Sequence, residues 1–195
     1  MATADSDRRS WSRIEIDGGA LLRRPAAGDV PGVFTVHRDP AVYQHDPQEV
    51  HPDGAHTARF LEPIFEHWQR HGFGYWSVLV PAQVWPDGVA GTEAGDGHRV
   101  IAGLGGIQHR MTAGKATLNV YFRFAVPTQG RGLTRLLMER VLTLAPRVAP
   151  GVDLVVRTRP ANAVARHVAE RSGFIDEGLE PGTTDMQLLR LPPPS

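Results

Sequence analysis

The stretch Val126-Pro127-Thr128-Gln129-Gly130-Arg131-Gly132-Leu133-Thr134 joins the most strand-like segment of the chain to one of its clearest helices. Before it, Ala116 to Val126 (ATLNVYFRFAV) is rich in β-branched and aromatic residues, which pack well on a pleated surface, and reads as the central strand. After it, Leu133, Leu136, Leu137, Val141 and Leu144 recur at helical spacing and mark one apolar face. Strand, glycine turn and helix therefore follow in that order. Glycines at such a junction let several backbone N–H groups converge on one point, and the positive end of the helix favours an anion there. The bland alternative is a tight turn with no ligand. The stretch is not a P-loop, which needs Gly-Lys-Ser/Thr, nor a dinucleotide fingerprint, which needs a third glycine and a later acidic residue.

Working outward, Asp153 to Thr158 (DLVVRT) is a short apolar strand, followed by a helix over Asn162 to Arg171 that ends at Ser172 and Gly173. Asn162 suits a helix N-cap and a ligand contact equally, and the two roles are compatible. Toward the N-terminus, Ala20 to Arg24 reads as a strand and Val30 to His37 as a helix capped by Asp29. A proline-interrupted loop then leads to a helix over His56 to His71. There Phe60, Ile64, Phe65 and Trp68 share an apolar face suited to core packing. Tyr75 to Val80 and Val100 to Gln108 are strands joined by a Gly/Pro-rich connection, and FIDEGL and TDMQLLRL are strand-like near the end.

The 195 residues suit one domain, with boundaries expected at 20–191 between a polar tail over 1–19 and a Pro-rich tail over 192–195. No apolar run approaches the ~18–20 residues of a membrane span, and the polar start lacks the apolar core of a secretory signal, so no membrane association and a cytoplasmic location are expected. With 21 basic and 21 acidic residues and no dense basic block, nucleic acid is not an expected partner. The absence of cysteine excludes disulfides, thiolate metal sites and a cysteine-linked acyl intermediate.

Two spaced features carry a family resemblance. Gln129-Gly130-Arg131-Gly132-Leu133-Thr134 is similar to the coenzyme A signature Gln/Arg-x-x-Gly-x-Gly/Ala of the GNAT acyltransferase superfamily, departing from it at Thr134. Asn162, opening a helix that closes in Gly173-Phe174, resembles the superfamily's second signature. Leu22-Arg23-Arg24-Pro25, Arg38-Asp39-Pro40 and Gly72-Phe73-Gly74-Tyr75-Trp76 resemble the branch of ribosomal-protein-alanine N-acetyltransferases, and the likeness spans roughly residues 20 to 180. The resemblance implies an α/β fold with a mixed, mostly antiparallel sheet splayed at its middle and flanked by helices. It further implies acetyl-CoA as co-substrate. Phe124, Ala125 and Val126 would line the pantetheine slot and supply an oxyanion donor. Gln129, Gly130, Arg131, Gly132, Leu133 and Thr134 would hold the pyrophosphate, and Asn162 and Arg166 would add further coenzyme contacts.

The chemistry implied is direct attack of a primary amine on the thioester in a ternary complex, the amine being a peptide N-terminus or a small molecule. The carboxylate that many relatives carry on the central strand falls at Val120, and their acidic tyrosine at Ala169, so both usual groups are missing. His109, Asn119 and Tyr121 are the replacement candidates: an imidazole suited to neutral pH, and two polar residues on one face of the central strand. Tyr43, His45, Trp68, Trp76 and Trp85 are candidates for an acceptor pocket, with Trp68 and Trp76 better suited to the core. His45, His51 and His56 lack the i, i+4 spacing of a zinc motif, and no metal is expected. Detoxifying acetylation of an amine-containing compound, and a non-catalytic acyl-CoA sensor, remain as alternatives. A homodimer is compatible with such a fold, but no interface can be read from the sequence.

Overall fold

The computed structural model describes residues 11–84 and 98–193. Among these residues eight strands form: β1 (Arg13–Ile16), β2 (Ala20–Arg23), β3 (Tyr75–Pro81), β4 (Arg99–Thr112), β5 (Lys115–Phe124), β6 (Asp153–Thr158), β7 (Ile175–Leu179) and β8 (Gln187–Arg190). Four α-helices accompany them: α1 (Val30–His37), α2 (Gly54–His71), α3 (Leu133–Val148) and α4 (Ala163–Arg171). The strands hydrogen-bond in the order β1-β2-β3-β4-β5-β6-β8-β7. The pairs β1/β2, β2/β3, β6/β8 and β7/β8 are antiparallel and β5/β6 is parallel. This is the α/β architecture with a mixed, mostly antiparallel sheet expected from the sequence.

The described residues fall into two compact units. One comprises residues up to Gly105 together with Phe122–Leu133. Its core holds Leu21 and Leu22 of β2, Leu61, Ile64 and Trp68 of α2, and Trp76, Val78 and Leu79 of β3. Trp68 and Trp76 meet edge to face at 6.4 Å, and each satisfies its indole N–H on a backbone carbonyl, of Tyr75 and Trp11 respectively, both at 2.7 Å. That arrangement bears out core packing for both tryptophans. Within the segment read as a polar tail, Arg13–Ile16 forms β1, registered against β2 from Arg13↔Arg23 to Ile16↔Ala20.

Asp29 does not cap α1 through its side chain, as the sequence suggested. The carboxylate is instead buried and accepts from Ala26 N–H at 2.9 Å, Ser77 Oγ at 2.7 Å and Arg23 at 2.7 Å. A buried charge needs such partners, and these three tie β2, the turn before α1 and β3 together. Helix α2 is capped as its sequence dictates: Asp53 accepts from His56 N–H at 2.6 Å, and Gly72 closes the helix at φ +77°.

The other unit comprises Gly106–Tyr121 and the residues from Thr134 onward. Its core is built from Leu118 and Val120 of β5, Leu137, Met138, Val141 and Leu144 of α3, Leu154 to Val156 of β6, and Leu188 and Leu189 of β8. Leu137, Val141 and Leu144, three of the five residues predicted on one face of α3, are thus buried here, which explains why that segment is a helix at all.

Candidate functional site

In the first unit, β5 ends at Phe124, and Ala125 N–H turns back to Ala102 O at 2.8 Å. Val126–Thr128 then forms a single 3₁₀ turn, which replaces the strand ending expected at Val126. Thr128 is buried and locks the turn by donating from Oγ1 to Ala125 O at 2.7 Å; Gln129 Nε2 donates to Phe124 O at 3.2 Å. Phe124 and Ala125 are buried, whereas Val126 is 40% exposed.

Gly130 and Gly132 follow at φ +73° and +79°, with no described residue within 4 Å of the position a Cβ would take. Left-handed backbone is nearly free for glycine and costly for other residues, so the two glycines permit the reversal that points the turn at the start of α3. Among the described residues, no backbone carbonyl accepts from the N–H groups of Gly130, Arg131 or Gly132. Arg131 is exposed, its Nε donating to Pro127 O at 3.2 Å. The arrangement is open, glycine-lined and donor-rich, which fits an anionic oxygen group.

A second feature fixes β5 just ahead of that turn. An ideal Cβ on Gly103, whose φ is +155°, would lie 2.0 Å from Arg123 O and 2.9 Å from Phe124 Cδ1. Only a residue without a side chain lets β4 and β5 approach this closely.

In the second unit, the parallel β5/β6 ladder registers Thr117–Val120 with Asp153–Val156. Tyr121 and Arg157 continue their strands beyond the last registered pair, the local sign of strands parting. Asn119 is 8% exposed opposite Val155, and half-buried Tyr121 follows two residues on, on the same face. Val120, where the usual carboxylate would stand, is buried in the ladder opposite Val156. His109 lies inside β4, since that strand runs to Thr112 and does not stop at Gln108; its side chain is exposed.

Asn162 caps α4 by accepting from Ala165 N–H at 3.1 Å. On the same helix, Arg166 has a buried Nε with no hydrogen-bond partner among the described residues. Thr134 is half-buried in the first turn of α3, and His167 is exposed on α4.

Two buried polar groupings escaped the sequence reading. In the first unit His37 and His51 are almost fully buried beside Tyr43, with Arg123 over the tyrosine ring. In the second unit the Arg157–Glu180 ion pair is nearly buried, Arg157 Nε donating to Glu180 Oε2 at 2.6 Å. No motif spacing announces either, because the partners come from separate elements. Of the acceptor-pocket candidates, Tyr43 is buried and His45 exposed, and Trp85 lies outside the described residues.

The family model for an acetyltransferase (GNAT) domain matches residues 20–175, four-fifths of the chain, including the glycine turn and Asn162. The chain belongs to the GNAT acetyltransferase family. It is therefore an N-acetyltransferase by family. Solved structures agree in fold. A protein of Bordetella pertussis described as a GnaT-family acetyltransferase superposes with a TM-score of 0.68 at 18% identity, covering 91% of this chain and 98% of that one. An acetyltransferase of Salmonella typhimurium that modifies the N-terminal serine of ribosomal protein L7/L12 gives 0.61 at 14%, covering 88% and 93%. The microcin C7 self-immunity acetyltransferase MccE, solved with acetyl-CoA and AMP, gives 0.61 at 15%, covering 93% and 96%. No curated protein sequence matches this GNAT acetyltransferase. Among its described residues no helix is long and apolar enough to cross a membrane.

Proposed function

We propose that this GNAT protein moves an acetyl group from acetyl-CoA to a primary amine, by direct attack in a ternary complex. The observation that carries the reading is the turn Gln129–Leu133. Its N–H groups at Gly130, Arg131 and Gly132 have no backbone acceptor among the described residues, and two open left-handed glycines leave room for a phosphate to approach. In this proposal the turn, with Thr134 after it, holds the pyrophosphate. Arg131 adds charge, Asn162 and Arg166 give further coenzyme contacts, and the unpartnered Arg166 Nε supports the last of these. Phe124, Ala125 and Val126 line the path of the pantetheine.

The amine nitrogen attacks the thioester carbonyl carbon, forming the C–N bond; the oxygen takes the negative charge until the C–S bond breaks and the thiolate leaves. Ala125 N–H is spent on Ala102 O, so the oxyanion donor in this scheme is Val126 N–H, which has no backbone acceptor among the described residues. Asn119, an amide, accepts no proton at neutral pH and is assigned to orienting the amine. His109 takes the proton lost from the attacking nitrogen, with Tyr121 as a relay through water. Positioning supplies much of the rate in such a scheme, effective molarities being worth up to roughly 7–11 kcal/mol.

The acceptor classes are a protein N-terminus, as for the Salmonella enzyme, and a small amine-bearing compound, as for a self-immunity enzyme. The proposed setting is the cytoplasm. A sensing role gains support from Val120 standing where relatives carry a carboxylate.

The test is thiol release from acetyl-CoA with a panel of peptides and small amines, for the wild type and for His109→Ala, Asn119→Ala and Tyr121→Phe. Loss of turnover at unchanged coenzyme affinity in at least one variant supports the scheme. Equal turnover in all three removes these assignments, and coenzyme binding without release by the wild type favours the sensor.

A further inference from the structure

Three histidine rings stand in a row within the first unit. His37, at the end of α1, is fully buried; His51 is 4% exposed; His56, on the first turn of α2, is exposed. Ring centroids are 4.5 Å apart for His37–His51 and 4.7 Å for His51–His56, and Phe60 closes over the two inner rings at 5.2 and 5.0 Å.

Each inner ring is held through Nδ1, His37 by Tyr43 OH at 2.7 Å and His51 by Thr57 Oγ1 at 2.9 Å. The segment from Arg38 to Asp53 is fastened by the same groups. His51 N–H donates to His37 O at 3.0 Å, Arg123 of β5 donates to Val42 O at 2.9 Å, and its guanidinium lies 3.7 Å over the Tyr43 ring.

The side chains whose charge acts on the two inner rings are all basic. Arg123 faces them from β5, and His56 from α2. No acidic side chain bonds to any of the three histidines among the described residues. Asp53, the nearest acid in sequence, accepts from His56 N–H instead. The Nε2 of His37 is buried without a hydrogen-bond partner among the described residues. If the ring were protonated, Nε2–H would point at no acceptor, beside a second imidazole and a guanidinium.

We propose that the row of neutral histidines is a latch: it fastens the Arg38–Asp53 segment to α1 and β5, and proton uptake at His37 and His51 releases that segment while the rest of the unit stays folded. The alternative to release is two or three cations in one desolvated space, which costs more than parting Tyr43 from His37. Burial, with the neighbouring imidazoles and Arg123, holds His37 well below the ordinary histidine value and His51 down to about 4, in keeping with this geometry. Once the segment opens, both rings regain water and an ordinary affinity for protons. The inference does not depend on acetyl transfer, and its readout is structural.

The test is amide hydrogen exchange of the full chain between pH 7 and pH 5, corrected for intrinsic exchange. His51 N–H, bonded to His37 O, is the reporter, and amides of β2 and β3 are the reference. Below about pH 6.5 the opening constant at His51 should rise about tenfold per pH unit for one proton taken up and about a hundredfold for two, the reference amides staying protected. In His51→Gln the dependence should drop by one power of ten per unit. Flat protection at His51, or an equal rise in the reference amides, overturns the latch. Should H51Q fail to fold, the imidazole C–H resonances of the wild type decide. Protonation of His37 and His51 in step with exchange supports the latch, and a ring that takes a proton while His51 N–H stays protected overturns it.

Discussion

Gly103→Ala is expected to be among the most damaging single-methyl additions in the molecule, and its cost can be worked from the geometry. The new carbon would sit 2.0 Å from Arg123 O and 2.9 Å from Arg123 C. A carbon–oxygen contact settles at about 3.3 Å, so one strand must move by roughly 1.3 Å. The obstacle is backbone in a ladder, with no flexible side-chain end to swing aside. Overpacking of this kind costs about 1–3 kcal/mol, and a non-glycine residue at φ +155° adds about 1–3 kcal/mol, giving about 2–6 kcal/mol in all. Gly18→Ala is the control: it lies in the same unit at φ +77° with nothing within 4 Å, so it carries backbone strain without the clash. Urea denaturation of both variants and the wild type, followed by the fluorescence of buried Trp68 and Trp76, measures the difference. G103A should be weaker than G18A by at least about 1 kcal/mol. It should also bind acetyl-CoA less well, because Arg123 and Phe124 shift just ahead of the turn. Equal stability of the two variants would refute the argument that β4 and β5 are held together through a glycine.

Gly130→Ala and Gly132→Ala meet open space, so each should lose only about 1 kcal/mol of stability through its positive φ, yet lower acetyl-CoA affinity tenfold or more in calorimetry. Unchanged affinity in both would remove the turn from the coenzyme site. Asp29→Ala strands Arg23 and Ser77 in the interior and should cost about 3–5 kcal/mol in urea denaturation, whereas Ser77→Ala should cost about 1–3 kcal/mol. His51 is neutral in the fold down to about pH 4, while the unfolded chain takes up its proton below about 6.5. Stability from this group is therefore complete above 6.5 and falls as pH drops toward 4, by about 3 kcal/mol at 1.36 kcal/mol per unit. Denaturation midpoints at pH 7, 6, 5 and 4 should show that decline in the wild type and a shallower one in H51Q.

What the sequence made legible was local chemistry. The α3 leucines and the β-branched run of β5 announced their elements because periodicity and side-chain shape act over a few residues. Asp153–Thr158 matched its strand residue for residue, and Asn162 its cap. The glycine turn was legible for the same reason, since consecutive residues build it. Where the partner is remote, the reading failed. Asp29 looked like a cap until Ser77, 48 residues away, proved to share its carboxylate. β1 was hidden because an alternating edge strand of four residues carries little signal. His37, Tyr43, His51 and Arg123 gather from a helix, a turn, a loop and a strand, so no spacing rule links them. His109 fell inside a strand because β4 runs four residues beyond its apolar part, through exposed His109, Arg110 and Met111 to buried Thr112, whose hydroxyl meets that of Thr117 on β5.

The most direct measurement of the central claim is calorimetric titration of the protein with acetyl-CoA, followed on the same sample by thiol release with primary amines. Saturable binding and amine-dependent release are predicted, both diminished in Gly130→Ala and Gly132→Ala. Absence of binding, or binding indifferent to those two substitutions, would contradict the assignment of the Gln129–Leu133 turn to the coenzyme.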